Sequence, residues 1–139
     1  MSNKAIVTQN APAAVGPYSQ AVKTGPWVFL SGQIALAPAG STPPKLVSKD
    51  ISDQTEQVLD NLQAVLEASG ASFQDVVKVT IYLTDLADFS VVNALYQKRI
   101  GNPAPARATV EVSALPLGAR VEMDAIALVG ASEAAESSP

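Results

Sequence analysis

The sequence contains neither cysteine nor histidine. The absence of cysteine excludes a disulfide framework, a thiolate nucleophile and a zinc finger. The absence of histidine excludes a Ser-His-Asp triad and any histidine general base. Chemistry in this chain therefore depends on arginine, lysine, tyrosine, serine, threonine, carboxylates, backbone groups and water.

Positive charge and long apolar runs are also scarce. Nine basic residues face thirteen acidic ones, the formal net charge is −4, and the basic residues form no stripe of the kind that binds phosphates. No apolar run approaches the roughly 20 residues of a membrane span, and the N-terminus leads into no signal-peptide core. We expect a soluble, cytoplasmic protein with no nucleic-acid or membrane partner.

The hydrophobic residues predict one domain with an aliphatic core. They make up 47% of the 139 residues, whereas aromatic residues make up 5%, which leaves the core to Val, Leu, Ile and Ala. A chain of this length buries roughly two-thirds of its unfolded surface. Residues 1–129 are predicted to form the domain, and residues 130–139, rich in Ala, Ser and Glu, a flexible tail.

Periodicity predicts six strands and two helices. Val58, Leu59, Leu62, Val65 and Leu66 give helix 53–69 one apolar stripe, with Asp53 and Glu56 resembling a capping box. The second helix is predicted over 86–100, and residues 37–50 form a surface loop. The predicted strands are 5–7, a short strand after Gly16-Pro17, 27–34, 76–83 (with Val77, Val79, Ile81 and Leu83 more buried), a run from Pro105, and 120–128.

The element order is strand, strand, strand, helix, strand, helix, strand, strand. Two helices with one apolar face each pack most simply on one side of a single mixed sheet, which predicts an α+β two-layer sandwich. The opposite face of the last two strands carries small or polar residues. Such a face suits a wet interface between subunits, so we expect a homo-oligomer.

Arg107 opens a strand directly after Pro105-Ala106. Alternation places it with Thr109 and Glu111 on one face of that strand. Its planar fork suits bidentate binding of a carboxylate, and the alternatives are a solvated arginine or a structural salt bridge.

Glu122 lies between the apolar residues Val121 and Met123 of a predicted strand, across a predicted hairpin from Arg107. A carboxylate in such a place orients a water or transfers protons. The alternative is a structural ion pair with the arginine, which would lower the pKa of Glu122 and weaken it as a base.

Four further side chains carry weaker functional interpretations. Tyr18 and Ser31 supply hydroxyls beside glycines in the first hairpin, although such residues are common near turns. Asn93 is a ligand contact or an exposed helical amide. Lys78 fits a Schiff-base lysine by type, but it alternates with Thr80 and Tyr82, which favours a solvated face.

Several segments together resemble the Rid (YjgF) family of reactive-intermediate deaminases, in that family's order and spacing over about residues 4–129. They are Gly16-Pro17-Tyr18-Ser19-Gln20-Ala21, Ser31-Gly32-Gln33-Ile34, Gln54-Thr55 with Asn61-Leu62, Val92-Asn93-Ala94-Leu95-Tyr96, Pro105-Ala106-Arg107, and Val121-Glu122-Met123-Asp124-Ala125-Ile126-Ala127.

The resemblance implies a chorismate-mutase-like fold and a homotrimer with pockets at its subunit interfaces. It implies hydrolysis of 2-enamino and 2-imino acids, such as 2-aminoacrylate, to 2-oxo acids and ammonia, without a metal or cofactor. Arg107 matches the residue that holds the substrate carboxylate, and Glu122 the one associated with the attacking water. Tyr18, Ser31, Gly32 and Asn93 match pocket positions, and Thr109 stands where many members have cysteine.

Three functional hypotheses follow. The first is a deaminase of reactive 2-imino acids. The second is a non-catalytic trimer that binds small carboxylates or a partner protein. The third, ribonuclease activity, is disfavoured by the acidic charge balance and the absence of histidine.

Overall fold

The structure is a computed structural model that describes residues 2–130. Its strands and helices follow the predicted order, and the α+β prediction is confirmed. The predicted tail lies outside the described residues apart from Gly130. The elements are β1 (Lys4–Ile6), β2 (Ala21–Thr24), β3 (Trp27–Gln33), α1 (Ile51–Ala68), β4 (Val76–Leu83), α2 (Phe89–Gln97), β5 (Ala106–Glu111) and β6 (Val121–Leu128).

The six strands form one mixed sheet in the order β1-β2-β3-β6-β4-β5. β4 and β5 are parallel, and the other neighbours are antiparallel. α2 connects β4 to β5, because parallel neighbours need a crossover connection. The predicted hairpin between the strands of Arg107 and Glu122 is therefore wrong: β6 pairs with β3 and β4, and β4 separates the two strands.

The two helices cover one face of the sheet and enclose the core. The predicted apolar stripe of α1 is buried, and it packs against alternate residues of β3, β4 and β6. The largest fully buried apolar side chains are Leu59, Leu62, Leu66, Ile81, Leu83, Met123, Val28, Val58, Val65, Val92 and Val121.

α1 begins two residues earlier than predicted. The carboxylate of Asp50 accepts a hydrogen bond of 3.0 Å from the amide of Asp53, so Asp50 is the N-cap. The buried side chain of Ile51 draws the first turn into the core. The predicted capping box of Asp53 with Glu56 is wrong because both residues lie inside the helix.

β4 departs from strict alternation at its start. The register with β6 shifts between Val76 and Lys78, so Val76 is buried and Val77 is exposed. The prediction that Val77 faces the core is wrong because this bulge turns its side chain outward. The predictions for Val79, Ile81 and Leu83 are confirmed.

The sheet face opposite the helices, called the open face below, is more apolar than predicted. Trp27, Phe29 and Val110 are exposed large hydrophobic residues on it. Trp27 and Phe29 come from β3, which the prediction for the last two strands did not cover, whereas Val110 of β5 contradicts that prediction. Within residues 2–130, no helix combines the length and hydropathy that crossing a membrane requires.

Candidate functional site

Arg107 lies at the start of β5 and faces α2. Its register with the buried Val79 puts its side chain on the helix side of the sheet. Nη1 donates a 2.7 Å hydrogen bond to Oδ1 of Asn93. The guanidinium carbon lies 5.5 Å from the ring centre of Phe89 and 5.1 Å from that of Tyr96. Two aromatic rings and one amide therefore orient the arginine.

α2 supplies all three contacts from one face. Phe89, Asn93 and Tyr96 have i, i+4, i+7 spacing, which places them on a common stripe. Sequence reasoning singled out Asn93 but missed the two rings as partners of Arg107. The signal was present, because the same spacing is visible in the predicted helix.

The positive charge of Arg107 has no carboxylate partner within residues 2–130. The other two arginines do: Arg120 contacts both oxygens of Asp88, at 2.8 and 2.9 Å, and Arg99 lies 2.7 Å from Asp60. Arg107 contacts only neutral groups and is exposed. Its guanidinium thus remains available to an external anion.

Thr109 lies two residues along β5 on the same side as Arg107. Its hydroxyl is buried, as is the hydroxyl of Tyr96, and neither has a hydrogen-bond partner among the described residues. Burial raises the pKa of Tyr96, although the nearby Arg107 opposes this shift. We call Arg107, Asn93, Thr109, Phe89 and Tyr96 the cation cluster.

Glu122 lies on the open face, away from Arg107. It is in register with Tyr82, and the next residue, Met123, is buried under the helices. Two strand spacings, about 10 Å, separate the backbones of β6 and β5, and the two side chains point to opposite faces. One chain therefore does not bring Arg107 and Glu122 together, and the interpretation as an ion pair between them is wrong within a chain.

The environment of Glu122 also reverses the expected pKa shift. Partial burial, and secondly the charge of Asp124, raise the pKa of Glu122. Asp124 lies on the same face and accepts a 2.9 Å hydrogen bond from the hydroxyl of Tyr82. That hydrogen bond is the main reason why the pKa of Tyr82 is raised. Glu122 therefore holds a proton more readily than an ordinary glutamate.

Gly32 has no side chain, and the carboxyl group of Glu122 occupies the space that a side chain would fill. A β-bulge shifts the β3 register between Leu30 and Gln33, and Gly32 lies in it. A β-carbon built on Gly32 would lie 2.9 Å from Cδ of Glu122, closer than such atoms approach. Any larger residue at this position would therefore displace the carboxyl group of Glu122 from the place it occupies.

Tyr18, Gly32 and Glu122 line one cavity of about 440 Å³. We call these three residues the acid cluster. Ser31 lies beside it in the bulge, but its hydroxyl donates to the carbonyl oxygen of Ser19. Ser31 thus anchors the neighbouring segment.

Sequence reasoning missed the structural role of Gln20. This buried side chain donates to the carbonyls of Thr8 and Pro12, at 3.0 and 2.8 Å, and accepts from the amide of Thr8. It holds the N-terminal segment that forms one wall of the cavity. Gln20 belongs to the segment Gly16-Pro17-Tyr18-Ser19-Gln20-Ala21 that carries the family resemblance, and its place in that segment was the signal that could have indicated its role.

Lys78 is separate from both clusters. It lies on the open face in register with Ile126 and Ala106. This position agrees with the interpretation that Lys78 shares a solvated strand face with Thr80 and Tyr82. Among residues 2–130, no three carboxylates are grouped so that they could hold a metal ion.

The fold agrees with the solved structures of known relatives. Residues 8–129 match the protein family described as Endoribonuclease L-PSP. The chain belongs to this family, the YjgF/Rid family, and the resemblance read from the sequence is confirmed.

Among its relatives is Reactive Intermediate Deaminase A, chloroplastic, from Arabidopsis thaliana. The two are 50% identical over 127 residues, which cover 91% of this chain and 66% of the relative. The 2-iminobutanoate/2-iminopropanoate deaminase of Mus musculus is 44% identical, over 91% of this chain and 92% of the relative. The crystal structure of the Rid family protein YyfA from Yersinia pestis superposes with a TM-score of 0.86 at 46% identity, covering 92% of this chain and 100% of that one.

Proposed function

We propose that this protein is a cofactor-free hydrolytic deaminase that converts reactive 2-enamino and 2-imino acids, such as 2-aminoacrylate, to 2-oxo acids and ammonia. The observation that carries the proposal is the availability of Arg107, whose partners among the described residues are all neutral. The names of the Arabidopsis and mouse relatives support the same chemistry.

In this proposal Arg107 binds the substrate carboxylate. The fork donates two charge-assisted hydrogen bonds, and the aromatic rings of the cation cluster fix its plane. The unpartnered hydroxyl of Thr109, on the same side of β5, is available to a water or to the substrate. Binding the carboxylate orients the imine carbon for attack.

Glu122 activates the attacking water and transfers protons. A protonated imine carbon is electrophilic, so water adds to it and forms a tetrahedral carbinolamine. Glu122 takes a proton from the water as the C–O bond forms and passes it to the amine, so that the C–N bond breaks and ammonia leaves. The carbinolamine hydroxyl gives its own proton back to Glu122 as the carbonyl forms, and Glu122 releases that proton to the departing ammonia or to solvent. A carboxyl with a raised pKa suits this exchange near neutral pH.

The two clusters must meet between chains. Because Arg107 and Glu122 occupy opposite faces of the sheet, a complete site needs the cation cluster of one copy and the acid cluster of another. The exposed Trp27 and Phe29 on the open face supply apolar surface for such contacts. We therefore propose a homotrimer with pockets at its subunit interfaces.

The activity is tested by generating imino acids with an amino-acid oxidase and trapping them with semicarbazide. We expect the protein to reduce the trapped species, Arg107→Ala to lose this effect, and Lys98→Ala, which removes an exposed cation after α2, to keep it. Failure of the native protein to reduce trapping would refute the activity. Arg107-dependent binding of 2-oxo acids without turnover would instead support a non-catalytic carboxylate-binding trimer.

The shared site is tested by mixing two inactive variants. Arg107→Ala keeps the acid cluster, and Glu122→Gln keeps the cation cluster. In randomly mixed ring trimers three-quarters are mixed and each contains one complete site, so about one quarter of native activity returns. A site contained within one chain predicts no recovery on mixing.

A further inference from the structure

The cavity beside Glu122 is larger than a small imino acid requires. Its volume of about 440 Å³ lies within the range of roughly 300–1,000 Å³ typical of small-molecule sites. Beyond the acid cluster its walls include Val15, Leu36, Pro44 and Leu117. The amide of Gln20, which also borders it, already bonds to the backbone of residues 8–12. The walls therefore offer apolar contact and few free polar partners.

Leu117 occupies an unfavourable backbone conformation at this cavity. Its φ of 59° and ψ of 21° are left-handed, and it is the one residue other than glycine with positive φ among residues 2–130. A glycine would adopt this conformation without strain. Because the leucine side chain is 54% exposed, core packing does not explain its presence. Strain of this kind is concentrated at functional sites, and here it holds an apolar side chain against the cavity.

We infer that this cavity receives the side chain of the substrate, that the preferred substrates are 2-imino acids with branched or long apolar side chains, and that Leu117 is a specificity-determining residue. The inference rests on the proposed function and names the substrate class of the same site. With the carboxylate on Arg107 and the water at Glu122, the remaining substituent of the imine carbon is its side chain. Each methylene buried against the apolar walls then favours the longer substrate roughly fourfold.

The test compares kcat/KM for imino acids generated from alanine, leucine, methionine and glutamine. We expect the leucine and methionine derivatives to exceed the alanine derivative by about tenfold or more. The glutamine derivative, similar in length to methionine but polar, should fall below the methionine derivative. An equal or greater preference for alanine would overturn the inference.

Variants at Leu117 separate specificity from folding. Leu117→Gly relieves the strained backbone and removes the apolar wall, so the leucine-to-alanine ratio should fall about fivefold while the melting temperature is not lowered. Leu117→Asn accepts the same backbone with a polar side chain and should lower the ratio as well. Val7→Ala, which trims an exposed valine outside this cavity, is the matched control. An unchanged ratio in both Leu117 variants, or an equal fall in the control, contradicts the assignment.

Calorimetry with 2-oxo acids keeps this inference distinguishable from the proposed function. If no imino acid is turned over, the proposed function fails, but the cavity still predicts tighter binding of 4-methyl-2-oxopentanoate than of pyruvate. Leu117→Gly should reduce that difference. Equal binding of the two acids by the native protein would refute the cavity assignment independently of catalysis.

Discussion

The cation cluster and the acid cluster differ in charge, in supporting element and in sheet face. α2 supplies the neutral partners of Arg107 at one edge of the sheet, whereas β6 presents Glu122 and Asp124 on the open face. The cation cluster contains no carboxylate, and the acid cluster contains no arginine or lysine. The Arg120–Asp88 pair shows that this fold also neutralises an arginine internally, with two short contacts.

Because the two clusters lie on opposite faces of the sheet, the charges of Arg107 and Glu122 do not neutralise each other within one chain. If Arg107 and Glu122 met within one chain, the arginine would bind the carboxylate and lower its pKa. On opposite faces, Arg107 remains open to a substrate anion, and burial keeps the pKa of Glu122 raised. The proposed site shared between two copies of the chain depends on this separation.

Arg107→Ala should give the largest effect on activity. Loss of two charge-assisted hydrogen bonds of about 2 kcal/mol each lowers kcat/KM about 10³-fold. The melting temperature should change little, because Arg107 is exposed and pairs with no carboxylate among the described residues. Semicarbazide trapping and thermal denaturation measure the two quantities.

Arg120→Ala is the matched contrast and should act mainly on stability. It leaves the buried Asp88 without Nη2 of Arg120, the nitrogen that donates to both carboxylate oxygens, which costs about 1–2 kcal/mol and lowers the melting temperature by about 5 °C. An equal loss of stability in Arg107→Ala and Arg120→Ala would contradict the view that Arg107, unlike Arg120, has no structural partner of opposite charge among residues 2–130.

Glu122→Gln should lower kcat about 10²-fold, because the amide cannot accept and return a proton.

The same substitution should change how the free energy of unfolding depends on pH. The folded-state pKa of Glu122 is raised, so ionisation opposes folding increasingly as the pH rises through that pKa. The melting temperature of the variant relative to the native protein should therefore be higher at about pH 8 than at about pH 4. A constant difference across that range would contradict a raised pKa of the partly buried Glu122 carboxyl.

Local patterns in the sequence predicted most of the fold. The apolar stripe of α1, the alternation of β4 after its bulge and the order of the elements are short-range features, and all are confirmed. The strand order is not local, so the sequence could not show that β4 lies between the strands of Arg107 and Glu122.

The sequence pointed to individual candidate site residues, but it could not show how they group in the fold. Residue type and family resemblance pointed to Tyr18, Gly32, Arg107 and Glu122. Which face each side chain occupies depends on the parallel pairing of β5 and the bulge at Gly32, and both depend on contacts distant in sequence. The aromatic partners of Arg107 required the position of α2 over β5.

Asn93→Asp tests whether the neutrality of the cation cluster matters. The substitution is nearly isosteric and places a carboxylate where the amide oxygen now lies 2.7 Å from Nη1 of Arg107. The new pair, worth about 0.5–1 kcal/mol, competes with the substrate and raises KM roughly two- to fivefold.

The dependence of KM on ionic strength distinguishes the effect of the new charge at position 93 from an effect of the changed side-chain shape. The increase in KM should shrink at high ionic strength, where exposed charges are screened. Asn93→Ala, which removes the acceptor without adding charge, should lack the salt dependence. A KM for Asn93→Asp equal to the native value would show that the neutral partner is dispensable.

Asp124→Asn should give the smallest effect, a shift of the pH profile with little loss of maximal rate. The charge of Asp124 is the second cause, after burial, of the raised pKa of Glu122. Its removal should move the acidic limb of kcat/KM to lower pH, because Glu122 then ionises more readily. The asparagine oxygen can still accept the hydrogen bond from Tyr82, which keeps β4 and β6 tied on that face. Tyr82→Phe removes that hydrogen bond but leaves the charge, so it should leave the acidic limb nearer its native position. If both variants move the limb equally, the effect is structural and the acid cluster does not act through the charge of Asp124.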